Sequence, residues 1–314
     1  MKIVVTGATG FLGRHLVPIL RQAYGAADVV GLSSRDYDLM NPAQVQRMFE
    51  EQQPQALIHL AAYSGGIGAN KVYPADFYYQ NTLLTALVFE AAARHQVGKL
   101  IYTMGGCSYP ATATSPIDEA QMWNGYPQLE SAGYSAAKKM GLVASQSYRQ
   151  QYGLNSVVLI PGNMYGEYDN FRDKESHVVP AMVRRYYEAG LRGDAQVMMW
   201  GTGEPVRDFV YAGDVAACIP YFIDHYDSSE PVNISSGTTT SIRELAEAVR
   251  DVTGYAGQIN WDTSKPNGQM VKIFDVHRLN GLGLCSATPL TDGLRKTVQW
   301  FRANYAARSE GLRL

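Results

Sequence analysis

Cysteine is scarce in this chain. Three residues in 314, Cys107, Cys218 and Cys285, lie too far apart for a disulfide framework or a cysteine-based zinc site, and no metal is expected. No apolar run approaches the ~18 residues that a membrane helix requires. The opening Met1-Lys2-Ile3-Val4-Val5 reads as a strand running into glycines rather than as a signal peptide. The expectation is a cytoplasmic protein with no membrane partner. Positive charge is not in surplus either. Lys and Arg total 27 against 29 Asp and Glu, for a net charge of −2, which leaves no electrostatic basis for a nucleic-acid partner. Internal repeats, low-complexity tracts and long linkers are absent too.

What the chain does have is alternation. Short β-branched runs at Ile3–Thr6, Asp28–Leu32, Ala56–Leu60, Lys99–Thr103 and Ser156–Ile160 are separated by helical patterns at Phe11–Ala23, Pro42–Glu51, Asp76–His95 and Tyr134–Tyr152. This rhythm predicts an α/β fold, a Rossmann-type doubly wound parallel sheet joined by right-handed crossovers. After Tyr165 the rhythm changes. Polar segments at Gly166–Glu175, Gly201–Arg207 and Thr263–Gln269 interrupt helices at Val178–Ala189, Gly213–His225, Ser241–Thr253 and Leu290–Tyr305. Ser241 with Glu244 makes a capping box. The domains expected are 1–165 for a dinucleotide, with 205–228 returning to it, and a smaller α/β substrate-binding lobe from 166–204 and 229–314.

Thr6-Gly7-Ala8-Thr9-Gly10-Phe11-Leu12-Gly13 joins the first strand to the first helix. Gly7 and Gly10 permit a tight turn and close approach of backbone to a pyrophosphate. Gly13 lets the helix pack on the sheet, and the helix start offers free N–H groups to the phosphates. The second strand ends in Ser33-Ser34-Arg35, and hydroxyls with an Arg suit the 2′-phosphate of NADP(H). Asp36 is the rival residue, since a carboxylate there would favour NAD. Farther on, Tyr134 and Lys138 stand one helical turn apart and share a face. A phenol titrates near pH ~10, and an ammonium neighbour is expected to lower that value, so Tyr134 is expected to exchange a proton with a sugar oxygen.

The glycine turn followed by Tyr134-x-x-x-Lys138 resembles the extended short-chain dehydrogenase/reductases. A narrower resemblance lies in the segments Ser64–Asn70 (SGGIGAN), Tyr73–Phe77 (YPADF), Gly106–Pro110 (GCSYP), Pro161–Gly166 (PGNMYG), Asp169–Phe171 (DNF) and Ser176–Ala181 (SHVVPA). It continues through Trp200–Phe209 (WGTGEPVRDF) and Lys265–Gly268 (KPNG). Together these look like the GDP-L-fucose synthases, which act as epimerase and reductase on a GDP-linked 4-keto-6-deoxy sugar.

The resemblance implies a reaction and a set of residues. Tyr134 and Lys138 match the hydride-transfer pair, and Cys107 and His177 match the two epimerisation acid/bases. The dinucleotide site would extend over Asp38, Leu39, Leu60, Ala61, Ala62, Asn81, Pro161, Asn163 and Met164. Ser108, Asn163, His177, Val178, Arg185, Trp200, Arg207 and Lys272 fall where the family holds the nucleotide-sugar substrate, and a homodimer built on two helices is implied as well. The chemistry is coherent without the family. A C4 ketone acidifies the hydrogens at C3 and C5, and inverting either carbon needs a base on one face and an acid on the other.

One position departs from the pattern. Gly105 stands where the family has a Ser or Thr that hydrogen-bonds the sugar C4 oxygen, and removing such a donor costs about 10²–10³ in rate. Ser108, Thr103 or a water could supply the hydroxyl, or the substrate could carry a substituent that uses the space. Two alternatives stay open: an epimerase that retains its cofactor with little or no net reduction, and a non-catalytic NADP-binding sensor or scaffold.

Overall fold

In a computed structural model, described for residues 1–172, 175–307 and 312–313, the chain is organised around one central sheet. Residues 173 and 174 of the first polar segment, and 308–311 and 314 of the second lobe, lie outside the described residues. The elements run β1 (Ile3–Thr6), α1 (Phe11–Tyr24), β2 (Val29–Leu32), α2 (Pro42–Gln52), β3 (Ala56–His59), α3 (Ile67–Val72), α4 (Pro74–Arg94), β4 (Lys99–Thr103), α5 (Ala132–Tyr152) and β5 (Ser156–Pro161). There follow β6 (Asn163–Tyr165), α6 (Val178–Arg192), β7 (Gln196–Trp200), β8 (Val206–Arg207), β9 (Phe209–Tyr211), α7 (Ala212–Asp224) and β10 (Val232–Ile234). The chain continues through β11 (Thr240–Ser241), α8 (Ile242–Thr253), β12 (Gln258–Asp262), β13 (Val271–Lys272), α9 (His277–Gly281) and α10 (Leu290–Ala307).

Six strands form the central sheet in the order β2-β1-β3-β4-β5-β10, all parallel. The chain leaves β1 towards β2 and then crosses to β3 on the other side, so the topological switch point lies between β1 and β3. In such sheets a ligand crevice opens there, at the carboxyl ends of the strands. β1, β3 and β5 are buried along their whole length, which is why they read as continuous apolar runs rather than alternating ones. One face of the sheet is covered by α1, α7 and α9 through Leu16, Leu20, Ile219, Phe222 and Leu279. The other is covered by α2, α4 and α5 through Phe49, Val88, Phe89 and Leu142.

A third cluster forms the core of the second lobe, with Val183 and Tyr186 of α6, Leu245 and Val249 of α8, and Leu294 and Phe301 of α10. Ser241 caps α8 with the full reciprocal box, its hydroxyl accepting from the Glu244 N–H while Glu244 accepts from the Ser241 N–H. Two findings differ from the sequence expectation. Val232–Ile234 lies in the stretch expected for the second lobe, yet it completes the central sheet beside β5, and α9 packs on it. The segment Gly201–Arg207, read as a loop, ends in β8. Strands of two or three residues are too short to show a period, and their pairing is set by long-range neighbours.

The contact that fixes α5 on the sheet is unusually close. A Cβ built on Gly141 would lie 2.2 Å from Cε1 of Tyr102 in β4, so only glycine lets the helix settle over that ring. The Tyr102 hydroxyl hydrogen-bonds Thr85 of α4 at 3.0 Å, tying both helices to one strand. Gly141→Ala is therefore expected to destabilise the protein by about 1–3 kcal/mol through overpacking, outweighing the ~0.5–1 kcal/mol that alanine gains over glycine inside a helix. Denaturant unfolding of the two proteins checks this, and a variant at least as stable as the parent would refute the packing account.

Candidate active site

A cavity of about 590 Å³ opens at the carboxyl edge of the sheet, lined by the ends of β1, β2, β4 and β5 at Thr6, Leu32, Thr103 and Pro161 and by Leu60 just past β3. Its floor is the glycine turn. Gly7 has a φ of +72°, and a Cβ there would lie 2.7 Å from the Ala61 N. A Cβ on Gly13 would lie 2.4 Å from the Gly7 carbonyl oxygen. The turn thus needs glycine for backbone conformation at Gly7 and for helix-to-turn contact at Gly13. Gly10 occupies the N-cap of α1 and provides no side-chain cap, so the first N–H groups of that helix remain available at the cavity floor. These are features that a dinucleotide pyrophosphate fits.

Of the residues expected at the dinucleotide, Gly7, Thr9, Gly10, Phe11, Leu12, Gly13, Ser33, Ser34, Asp38, Leu39, Leu60, Ala61, Ala62, Tyr134, Lys138, Pro161 and Met164 line this cavity. Arg35, Asn81 and Asn163 do not. Arg35 follows Ser34 on the exposed side of the same turn. Asn81 is buried behind the wall, where its side chain accepts from the Tyr63 N–H and donates to the carbonyls of Tyr63 and Phe77. It holds the loop after β3 in place. Asn163 donates to the Asp208 carbonyl. Asp36, the rival residue for cofactor choice, is turned back on its own loop, accepting from both the backbone N–H and the hydroxyl of Ser33 at 2.7 and 2.8 Å.

Tyr134 and Lys138 face the cavity together from α5. The expectation that the ammonium would lower the phenol's pKa is not met. Burial raises the Tyr134 phenol well above its usual range, with Cys107 and Tyr102 adding to the shift. Burial likewise pushes the Lys138 ammonium down, to about 7, against a smaller opposing influence of Cys107. Desolvation disfavours both charged forms. Lys138 finds its partner elsewhere, with its Nζ over the Tyr102 ring at 4.2 Å. The result is a protonated phenol held in a largely dry wall.

Cys107 is not part of the cavity lining but lies directly behind it. A Cβ placed on Gly105 would sit 3.3 Å from the Cys107 Sγ and 3.9 Å from the Tyr134 hydroxyl, so the thiol and the phenol flank one point in space. Lys272 is close enough for Cys107 to offset part of the lowering that burial imposes on its ammonium. Arg207 and Lys272 are direct neighbours on the parallel strands β8 and β13, and neither forms an ion pair among the described residues. Two adjacent cations without an acid make an unfavourable pair unless an anion joins them. His177 occupies the N-cap of α6 and lines the cavity, with an exposed ring that makes no hydrogen bond among the described residues.

The other residues expected at the substrate are more dispersed. Ser108 is fully buried with no partner for its hydroxyl. Val178 follows His177 in the first turn of α6, Arg185 donates to the Met198 carbonyl, and Trp200 is 68% exposed at the end of β7. Sequence reasoning missed several cavity residues: Tyr37, Met40, Tyr63, Gln80, Met104, Asp169, Glu175 and Arg313. Asp169 lay inside a motif that had been noted, but no spacing rule marks a single carboxylate in a loop.

The comparisons agree with this geometry. Residues 3–235 match the model of the NAD dependent epimerase/dehydratase family. GDP-L-fucose synthase 1 of Arabidopsis thaliana is 38% identical over 307 residues, covering 98% of this chain and 95% of that protein. A crystal structure of a GDP-L-fucose synthetase from Naegleria fowleri bound to NADP superposes with a TM-score of 0.90 at 27% identity, covering 99% of this chain and 94% of that one. A GDP-6-OMe-4-keto-L-xylo-heptose reductase from C. jejuni gives 0.89 at 27% identity, with 96% and 98% covered. On the glycine turn, the Tyr134–Lys138 pair, the six-stranded sheet and a family match over most of its length, the chain belongs to the NAD dependent epimerase/dehydratase family, the extended short-chain dehydrogenase/reductases, and within it is similar to the GDP-L-fucose synthases.

Proposed function

We propose that this enzyme is an NADP(H)-dependent epimerase/reductase acting on a GDP-linked 4-keto-6-deoxy sugar. The observation that carries the reading is the protonated Tyr134 phenol, which lines the cavity that begins at the glycine turn and shares with the Cys107 thiol the space beside Gly105. When bound, NADPH would supply the hydride for the C4 carbonyl carbon. Tyr134 then donates its proton to the C4 oxygen, a role that suits a phenol kept neutral by burial. Lys138, seated on Tyr102, orients that end of the site. Cys107, beside Tyr134, and His177, in the cavity lining, are the acid and base that move protons at C3 and C5. Arg207 and Lys272 offset the charge of the nucleotide diphosphate.

The choice of NADP over NAD rests on the second strand's end. Ser33 and Ser34 face the cavity, whereas Asp36 is engaged with Ser33 instead of being free to accept from a ribose. We assign residues 1–165 and 205–228, with the added strand at 232–234 and α9, to the dinucleotide lobe and the remainder to the sugar-nucleotide lobe, β8 being the strand by which 205–228 pairs into that second lobe. A reaction drawing on NADPH and a free Cys107 thiol suits a reducing compartment, the cytoplasm. The dimer would form through α4 and α5, whose outer faces expose Tyr78, Tyr79, Met140 and Val143.

Three outcomes test this reading. Protein incubated with NADPH and a panel of nucleotide-linked 4-keto-6-deoxy sugars in D₂O is expected to oxidise NADPH and to incorporate deuterium at C3 or C5. Tyr134→Phe should abolish NADPH oxidation, and Cys107→Ser should suppress deuterium uptake. If neither variant changes its reaction, the site is misassigned. Gly105→Ser would place a hydroxyl between Cys107 and Tyr134 and is expected to speed reduction by up to about 10²–10³. A slower reduction would instead show that substrate occupies that space. In sedimentation experiments the parent should run as a dimer and Tyr79→Lys as a monomer; identical behaviour would exclude this face.

A further inference from the structure

Asp169 is a carboxylate out of place. It sits in the loop between β6 and α6, is 2% exposed, and lines the active-site cavity. One of its oxygens accepts from the Asn170 backbone N–H at 2.6 Å, while the other, Oδ2, is buried without a hydrogen bond among the described residues. Leaving a buried carboxylate oxygen unpaired costs on the order of 1–3 kcal/mol or more, so such a group is retained where it has a partner in some working state. The matching unpaired group is the imidazole of His177, on the same cavity wall and without a hydrogen bond among the described residues.

Resting on the epimerase reading above, we infer that Asp169 is the positioning residue for His177: its Oδ2 accepts a ring N–H and stabilises the imidazolium while the other ring nitrogen exchanges a proton with the sugar carbon. The proton balance is closed. As His177 takes the proton from carbon, the imidazolium forms against the carboxylate. As it returns a proton, the pair reverts to neutral imidazole and carboxylate. The ring's exposure gives it room to turn between the substrate and Asp169, and such contacts are often loose before ligand binds.

The electrostatic surroundings agree. Burial raises the Asp169 carboxyl to about 6, while the His177 ring, the Asn170 N–H and the Arg313 guanidinium oppose that rise. Arg313, itself influenced by Arg172 and Arg14, approaches from the chain's last described residues, and Glu175 is the other acid on this wall. Burial thus brings the loss of the carboxylate's charge up towards neutral pH, with the charged form present above about 6.

The test is deuterium wash-in at C3 and C5 with nucleotide-sugar and NADP⁺ but no NADPH, followed across pH. For the parent protein the exchange rate should fall as pH drops through about 6, where Asp169 takes up its proton. Asp169→Asn should lower exchange about 10–10²-fold and displace that acid limb, Asp169→Glu should restore part of the rate, and KM for the nucleotide-sugar should stay the same. Asp169→Asn combined with His177→Asn should lose no more than the worse single variant, as groups acting as a unit do. A parent profile that stays flat from pH 7 to 5 overturns the inference whether or not the variants fold. Additive losses, or a change confined to KM, overturn it in favour of a structural or ligand-binding role. A parent protein that exchanges no deuterium at all removes the epimerase reading and this inference with it.

Discussion

The close seat of α5 on β4 is the constraint from which the active site follows. Because residue 141 is glycine, the helix lies directly on the Tyr102 ring, and the same ring supports the Lys138 ammonium. Tyr102 in turn is locked by Thr85 and stacks against His59, whose ring is kept neutral by burial and bonded to Thr6. A continuous column of side chains therefore runs from β1 through β3 and β4 to the helix that carries Tyr134. The Tyr134–Lys138 pair is held by the sheet's interior, which is the arrangement that gives geometric precision.

Burial decides the chemistry of the pair. The familiar expectation, an ammonium drawing a phenol towards ionisation, assumes that both remain partly in water. In this cavity the loss of solvation dominates, and the phenol stays a proton donor. A donor is what reduction of a ketone asks for, whereas the reverse reaction asks for a base.

Much of this was legible in the residues. The helices α1, α2, α5, α7, α8 and α10 differ by at most two residues from their apolar periods, because those periods record the face each helix buries. The glycine turn was legible because only glycine meets its steric demands, and Tyr134 and Lys138 because helical spacing is regular. What stayed hidden depends on distant partners. The short strands β6, β8 and β9 exist through long-range pairing, the sixth sheet strand is three residues lying in the stretch expected for the second lobe, and Asp169 is distinguished only by the water it is denied. Pattern reports what a residue does to its local segment; it is silent on what a fold later packs around it.

Arg207 and Lys272 carry a consequence for the second lobe. Their strands, β8 and β13, are only two residues long and bring like charges side by side. Whatever bridges them also clamps a marginal sheet, so occupancy by a diphosphate would act as a fastener for the lobe that binds it. Affinity and local rigidity would then rise together. The lobe would breathe when vacant and stiffen when filled, and release of product would be paced by the reopening of this small sheet.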